Sequence, residues 1–125
     1  DLNYARVTAL NHHSTIQICP LNALNSPICG TNWTNGWIVT TQPTNGTATL
    51  LRSQQNNAKG QTIVANVTTI AFSSRGLTAN QSNFTLCDSR GHASARSVEV
   101  MATGFIQSGP TPGTAVWNNA ALTCP

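Results

Sequence analysis

Four cysteines, at positions 19, 29, 87 and 124 of 125 residues, constrain this chain more than any other feature. Nine residues lie between the first two and thirty-six between the last two, spacings unlike the closely paired thiolates of structural zinc sites. Of the three pairings that four cysteines allow, the sequential one is preferred: Cys19 with Cys29, and Cys87 with Cys124. Loop-closure entropy assigns about 3 kcal/mol to the shorter bridge and about 4 kcal/mol to the longer. Net domain stability is typically about 5–15 kcal/mol, so two such bridges decide whether the chain stays folded. The implied compartment is oxidising: periplasm, cell surface or exterior. The competing reading is four reduced, buried thiols in a reducing cytosol.

The length suits one domain, residues 1–125, around a single core. Only 7% of the residues are charged, against roughly 25% in an ordinary soluble domain. Fourteen Asn and eighteen Thr supply neutral hydrogen-bonding groups instead. Charge-driven disorder and a Glu/Lys-rich coiled coil are thereby excluded. No apolar run approaches the length of a membrane span. The net charge of +3 is the balance of three acids against Arg6, Arg52, Lys59, Arg75, Arg90 and Arg96, cations that are scattered along the chain. They make a nucleic-acid patch only if folding gathers Arg75, Arg90 and Arg96.

The chain opens in Asp1-Leu-Asn-Tyr-Ala-Arg-Val-Thr-Ala-Leu10, where Leu2, Ala5, Ala9 and Leu10 recur at helical spacing. This stretch, residues 1–13, lacks an N-cap lead-in and reads like the second half of a longer helix. From Ile16 onward the signals are those of strands and turns. Ile16–Cys19 enters the first cysteine loop. Gly36–Thr41 and Ala48–Arg52 flank Pro43-Thr-Asn45-Gly46, a hairpin turn by its Asn-Gly pair. The β-branched run Thr62–Phe72 is too long for one flat strand and is expected to bend or divide. Phe84–Cys87 and Ser97–Ala102 complete the set, with Val98, Val100 and Ala102 on one face of the last strand and Glu99 and Met101 on the other. Phe72-Ser-Ser-Arg75-Gly76 and Cys87-Asp-Ser-Arg90-Gly91 read as two similar turns, and residues 109–113, Gly-Pro-Thr-Pro-Gly, as a loop. The fold class is α+β: a helix (1–13) packed on an antiparallel β domain (14–125), with two small sheets.

Catalysis has little to work with. Asp88 and Glu99 are the only internal acids, and no Gly-x-Ser-x-Gly elbow accompanies His12, His13 or His92. His12 and His13 suit the helix's terminal carbonyls. A metal site from these two with Cys19 and Cys29 requires reduced thiols. The Asn-x-Ser/Thr sites at Asn32, Asn45, Asn66, Asn80 and Asn83 are glycan acceptors only in a eukaryotic secreted chain. Trp33, Trp37 and Trp117 suit either core packing or the exposed aromatic face of an adhesive or sugar-binding β domain.

The ordered series carries a resemblance. Tyr4-Ala5-Arg6 lies in the first helix, and a Cys-Pro loop with a second Cys follows. Then come Trp33-Thr-Asn-Gly36-Trp37-Ile38-Val39, Leu51-Arg52, Ile70-Ala-Phe72 with Gly76, Phe84-Thr-Leu86-Cys87, and Ala95-Arg96-Ser-Val98-Glu-Val100 before Gly104. It resembles the GspH/FimT family of type IV minor pilins and type II secretion pseudopilins, nearest its FimU/FimT type, over nearly the whole chain. The resemblance implies a non-enzymatic subunit without a cofactor or small-molecule substrate. It implies a methylated N-terminal helix that anchors in the bacterial inner membrane, its anchoring half absent from this sequence, and a periplasmic β domain. Its partners would be other minor pilins and the major pilin, in a pilus that it helps to prime, or the equivalent subunits of a secretion pseudopilus. Some FimT proteins are thought to bind DNA through a Gly-Arg-x-Arg stretch. Here that stretch is Gly104-Phe105-Ile106-Gln107, so both cations are replaced. Each lost cation removes a phosphate contact. Arg75, Arg90 and Arg96 remain as DNA-contact candidates, with Arg96 expected beside Glu99.

Overall fold

Alanine and leucine at helical spacing give the first element, α1 (Leu2–His12), whose Ala5 and Ala9 are fully buried. Their small side chains let the helix approach the sheet beneath it. The helix ends in a left-handed His13 (φ 52°), and the Ser14 amide donates back to the Ala9 carbonyl at 3.3 Å, a Schellman-type stop. The computed structural model describes residues 2–23, 28–41, 48–55 and 60–124. The Pro43–Gly46 turn and Lys59 lie outside them.

Eight strands follow: β1 (Ile16–Pro20), β2 (Gly36–Thr41), β3 (Leu50–Gln55), β4 (Thr62–Ala65), β5 (Ile70–Phe72), β6 (Ser82–Cys87), β7 (Arg96–Val100) and β8 (Ile106–Ser108). They form two antiparallel four-stranded sheets, ordered β3-β2-β1-β5 and β4-β6-β7-β8. The architecture is the expected α+β one, a helix and two small sheets.

The run from Thr62 to Phe72 does divide, and the two halves go to different sheets. Asn66 closes the first half, exchanging its backbone amide and side-chain oxygen with the backbone of Asn83. The Trp33 indole donates to the Val67 carbonyl at 2.7 Å and pins the crossover. Strand β3 begins two residues later than its apolar start and runs on to Gln55, because a register shift at Val39/Thr40 places Leu50 opposite Thr40 and Gln55 opposite Gly36. Pairing, not side-chain hydrophobicity, sets its length. Strand β8 is an addition to the sequence reading.

The inner faces of the two sheets and α1 share one core, including Ile16, Ile18, Val39, Phe72, Phe84 and Val100. Trp33 meets Phe84 edge-on, with ring centroids 5.0 Å apart. Cys19 and Cys29 are joined on the opposite face of the first sheet, where Leu21 and Ile38 are buried. The Cys87–Cys124 bridge straps the C-terminal segment over the outer face of the second sheet. There Ala115 and Leu122 are buried against Ala95, and the Val116 amide donates to Ser97 Oγ.

Three turns share one design. At Ser73–Gly76, Asp88–Gly91 and Met101–Gly104 the glycine has a positive φ and its amide donates to the carbonyl three residues back. Two of these turns meet: a Cβ on Gly104 would run into the Gly76 carbonyl oxygen.

Candidate functional site

The candidate cations are separated by the strand geometry. The Arg75 turn precedes β6, and Thr78 just after it bonds to Ala102, near the Ser82–Val100 end of the second sheet. Arg90 and Arg96 lie at the other end, beyond Cys87 and opposite Leu86. The fold therefore does not gather Arg75, Arg90 and Arg96 into one patch. Arg90 is also neutralised locally. Its guanidinium grips Asp88 through Nε and Nη2, the latter at 2.8 Å, and its backbone amide donates to the same carboxylate. The Arg90 side-chain bonds, then its backbone bond, hold the Asp88 carboxyl below the usual range, and the carboxylate raises the Arg90 pKa in return.

Arg96 does not pair with Glu99. Three residues apart on a strand, the two point to opposite faces. Glu99 is 4% exposed, and both Gln81 and Gln107 donate their side-chain amides to it. Gln107 thus stands where the resemblance wants a cation, tied to a buried carboxylate. Phe105, at the other such position, is 58% exposed.

The remaining candidates resolve plainly. Cys19 is bonded to Cys29, so those two sulfurs offer His12 and His13 no thiolates. Among the described residues no three His, Cys, Asp or Glu side chains gather as metal ligands. Trp33 is buried, while Trp37 and Trp117 are half-buried, the latter against the Cys87–Cys124 bridge. None of the three forms an open aromatic platform.

Two surfaces stand out. The first is the outer face of α1, where Tyr4 and Val7 are exposed and the Arg52 guanidinium lies 4.9 Å from the Tyr4 ring centre. The second is a groove between the sheets. Its apolar part, about 330 Å³, is walled by Leu2, Trp37, Ile63, Phe84, Leu86 and Val98. Through Trp37, Ile63 and Leu86 it continues into a polar part of about 250 Å³, where Gln54, Gln55, Gln61 and Arg96 line the wall. No local sequence pattern announces this groove; the half-buried Trp37 near the start of β2 is its one trace.

Comparison with protein families matches residues 1–104 to the family described as type II transport protein GspH. Among solved structures, the type IV minor pilin FimU of Pseudomonas aeruginosa PAO1 is similar in two crystal forms. One has a TM-score of 0.71 at 23% identity over 87% of this chain and 80% of that one. The other has a TM-score of 0.69 at 21% identity over 87% and 84%. A search of curated proteins finds no match.

Proposed function

The chain belongs to the GspH family, and from that premise we propose that it is a minor pilin that primes and assembles a type IV pilus by docking to other minor pilins and the major pilin near the tip. Family members are structural subunits, and the chain is not an enzyme. The observation that carries the proposal is α1: its Ala5 and Ala9 side is sealed on the domain while its opposite side presents Tyr4 and Val7 to neighbours. As family members do, it would hold to the inner membrane through an extension of this helix before entering the fibre. Among the described residues no helix is long and apolar enough to cross a membrane.

The family's description favours one second reading, a subunit of a type II secretion pseudopilus. The DNA-binding reading is weaker, because Arg90 is neutralised by Asp88 and Gln107 is committed to Glu99. Complementation with Val7→Glu tests the proposal. The substitution lies on the exposed side of α1, so the domain should keep its stability while assembly falls. Assembly at the wild-type level with a charge at position 7 contradicts a docking role for this face. Scoring piliation and protein secretion in the same strains separates pilus from pseudopilus.

A further inference from the structure

We propose that the groove between the two sheets binds an extended peptide segment of a partner, one carrying an apolar side chain followed closely by an acidic one. The apolar part is walled by Trp37, Ile63, Phe84, Leu86 and Val98, and about 330 Å³ holds an aromatic or aliphatic anchor. The polar part continues from it without a break, sharing Trp37, Ile63 and Leu86. Gln55 and Gln61 there offer amides, each both donor and acceptor, as a peptide backbone requires, and Gln54, whose nitrogen donates to the Gln55 carbonyl, offers its side-chain oxygen. The charge of the wall fixes the second feature. Asp88 is held by Arg90, whereas the Arg96 side chain makes no hydrogen bond or ion pair among the described residues. The wall therefore carries one uncompensated positive charge beside an apolar slot. Strands β3 and β4, which contribute Gln54, Gln55 and Ile63, are the outer strands of their sheets. An acyl chain with a carboxylate shares the apolar-plus-anionic chemistry. It gains most from an enclosed tunnel, and it has no use for the amide wall.

The inference rests on reading the chain as an assembling subunit, but its test requires no fibre, so either can fail alone. A random heptapeptide display library is selected on the full chain, with the Leu86→Glu variant as the blocked control. The expected consensus is an aromatic or aliphatic residue with Asp or Glu one or two positions later. A synthetic peptide of that consensus should shift the Trp37 indole and Leu86 methyl signals in NMR. Arg96→Gln should weaken it about two- to fivefold, the worth of an ion pair at an exposed arginine, and the amide version of the peptide should be indifferent to that change. The proposal is overturned if no sequence is enriched over the Leu86→Glu control. It is overturned equally if binding is unchanged by Arg96→Gln, if the shifts fall on α1 instead, or if dodecanoate occupies the groove while peptides do not.

Discussion

Removing the Cys87–Cys124 bridge tests how the C-terminal segment is held. The perturbation is the double substitution Cys87→Ser/Cys124→Ser, which leaves no unpaired thiol. The bridge closes a sequence separation of 37, against 10 for Cys19–Cys29. Loop-closure entropy then gives about 4 kcal/mol for the longer bridge and about 3 kcal/mol for the shorter. At a urea slope of about 2 kcal/mol per molar, the longer loss moves the unfolding midpoint by about 2 M. The loss should also have a place. Ala115 and Leu122 are buried at 2% and 3%, and the Val116 amide is bonded to Ser97 Oγ, all on the covered face of the second sheet. Amide exchange should therefore accelerate most at Ala115, Val116 and Leu122, while β1 and β2 lose only the protection that the lower global stability takes from them. Urea unfolding with native-state hydrogen exchange, run beside Cys19→Ser/Cys29→Ser, measures both. A smaller loss for the longer bridge, or exchange that rises uniformly, would refute the argument.

Four further outcomes are expected. Trp33→Phe removes the donor to the half-buried Val67 carbonyl and should cost about 1 kcal/mol by urea unfolding, the net worth of one hydrogen bond. Gly104→Ala should destabilise more than Gly91→Ala. Both glycines have positive φ, but only Gly104 faces another backbone, whereas a Cβ on Gly91 meets nothing within 4 Å. NMR titration of Arg90→Ala should move the Asp88 carboxyl upward toward its ordinary value near 3.8, stopping short of it because the backbone amide at position 90 still donates to the carboxylate. Its folded pKa is depressed, so the pair's stabilisation is present above that value and lost as pH falls through the folded pKa. At this exposed site, salt keeps it small. In a low-salt titration duplex DNA should bind weakly or not at all; tight, salt-sensitive binding lost in Arg90→Ala or Arg96→Ala would show the cations to be engaged after all.

What the sequence made legible was local. Ala5 and Ala9 mark the buried side of α1, and β1 and β2 lie where their apolar runs predict. The division of residues 62–72 could be expected from length, but not its destination, because the Trp33–Val67 bond that fixes it joins residues 34 apart. Strand β8 has three residues, too few for a period to show. Glu99 read as an acid beside Arg96; strand alternation turned it to the other face, and its partners Gln81 and Gln107 come from 18 and 8 residues away. The groove arises where two sheets part, so its walls are assembled from six separate strands and the helix start. The low charge takes on a physical sense here. Neutral Asn and Thr surfaces can be covered by neighbouring subunits without burying unpaired ions.

The most direct test of the assembly role is a count of surface pili in cells lacking this chain, with transformation scored separately in the same cells. Piliation should fall in those cells and return with the wild-type chain. Normal piliation with loss of transformation would contradict the assembly role and would transfer it to DNA.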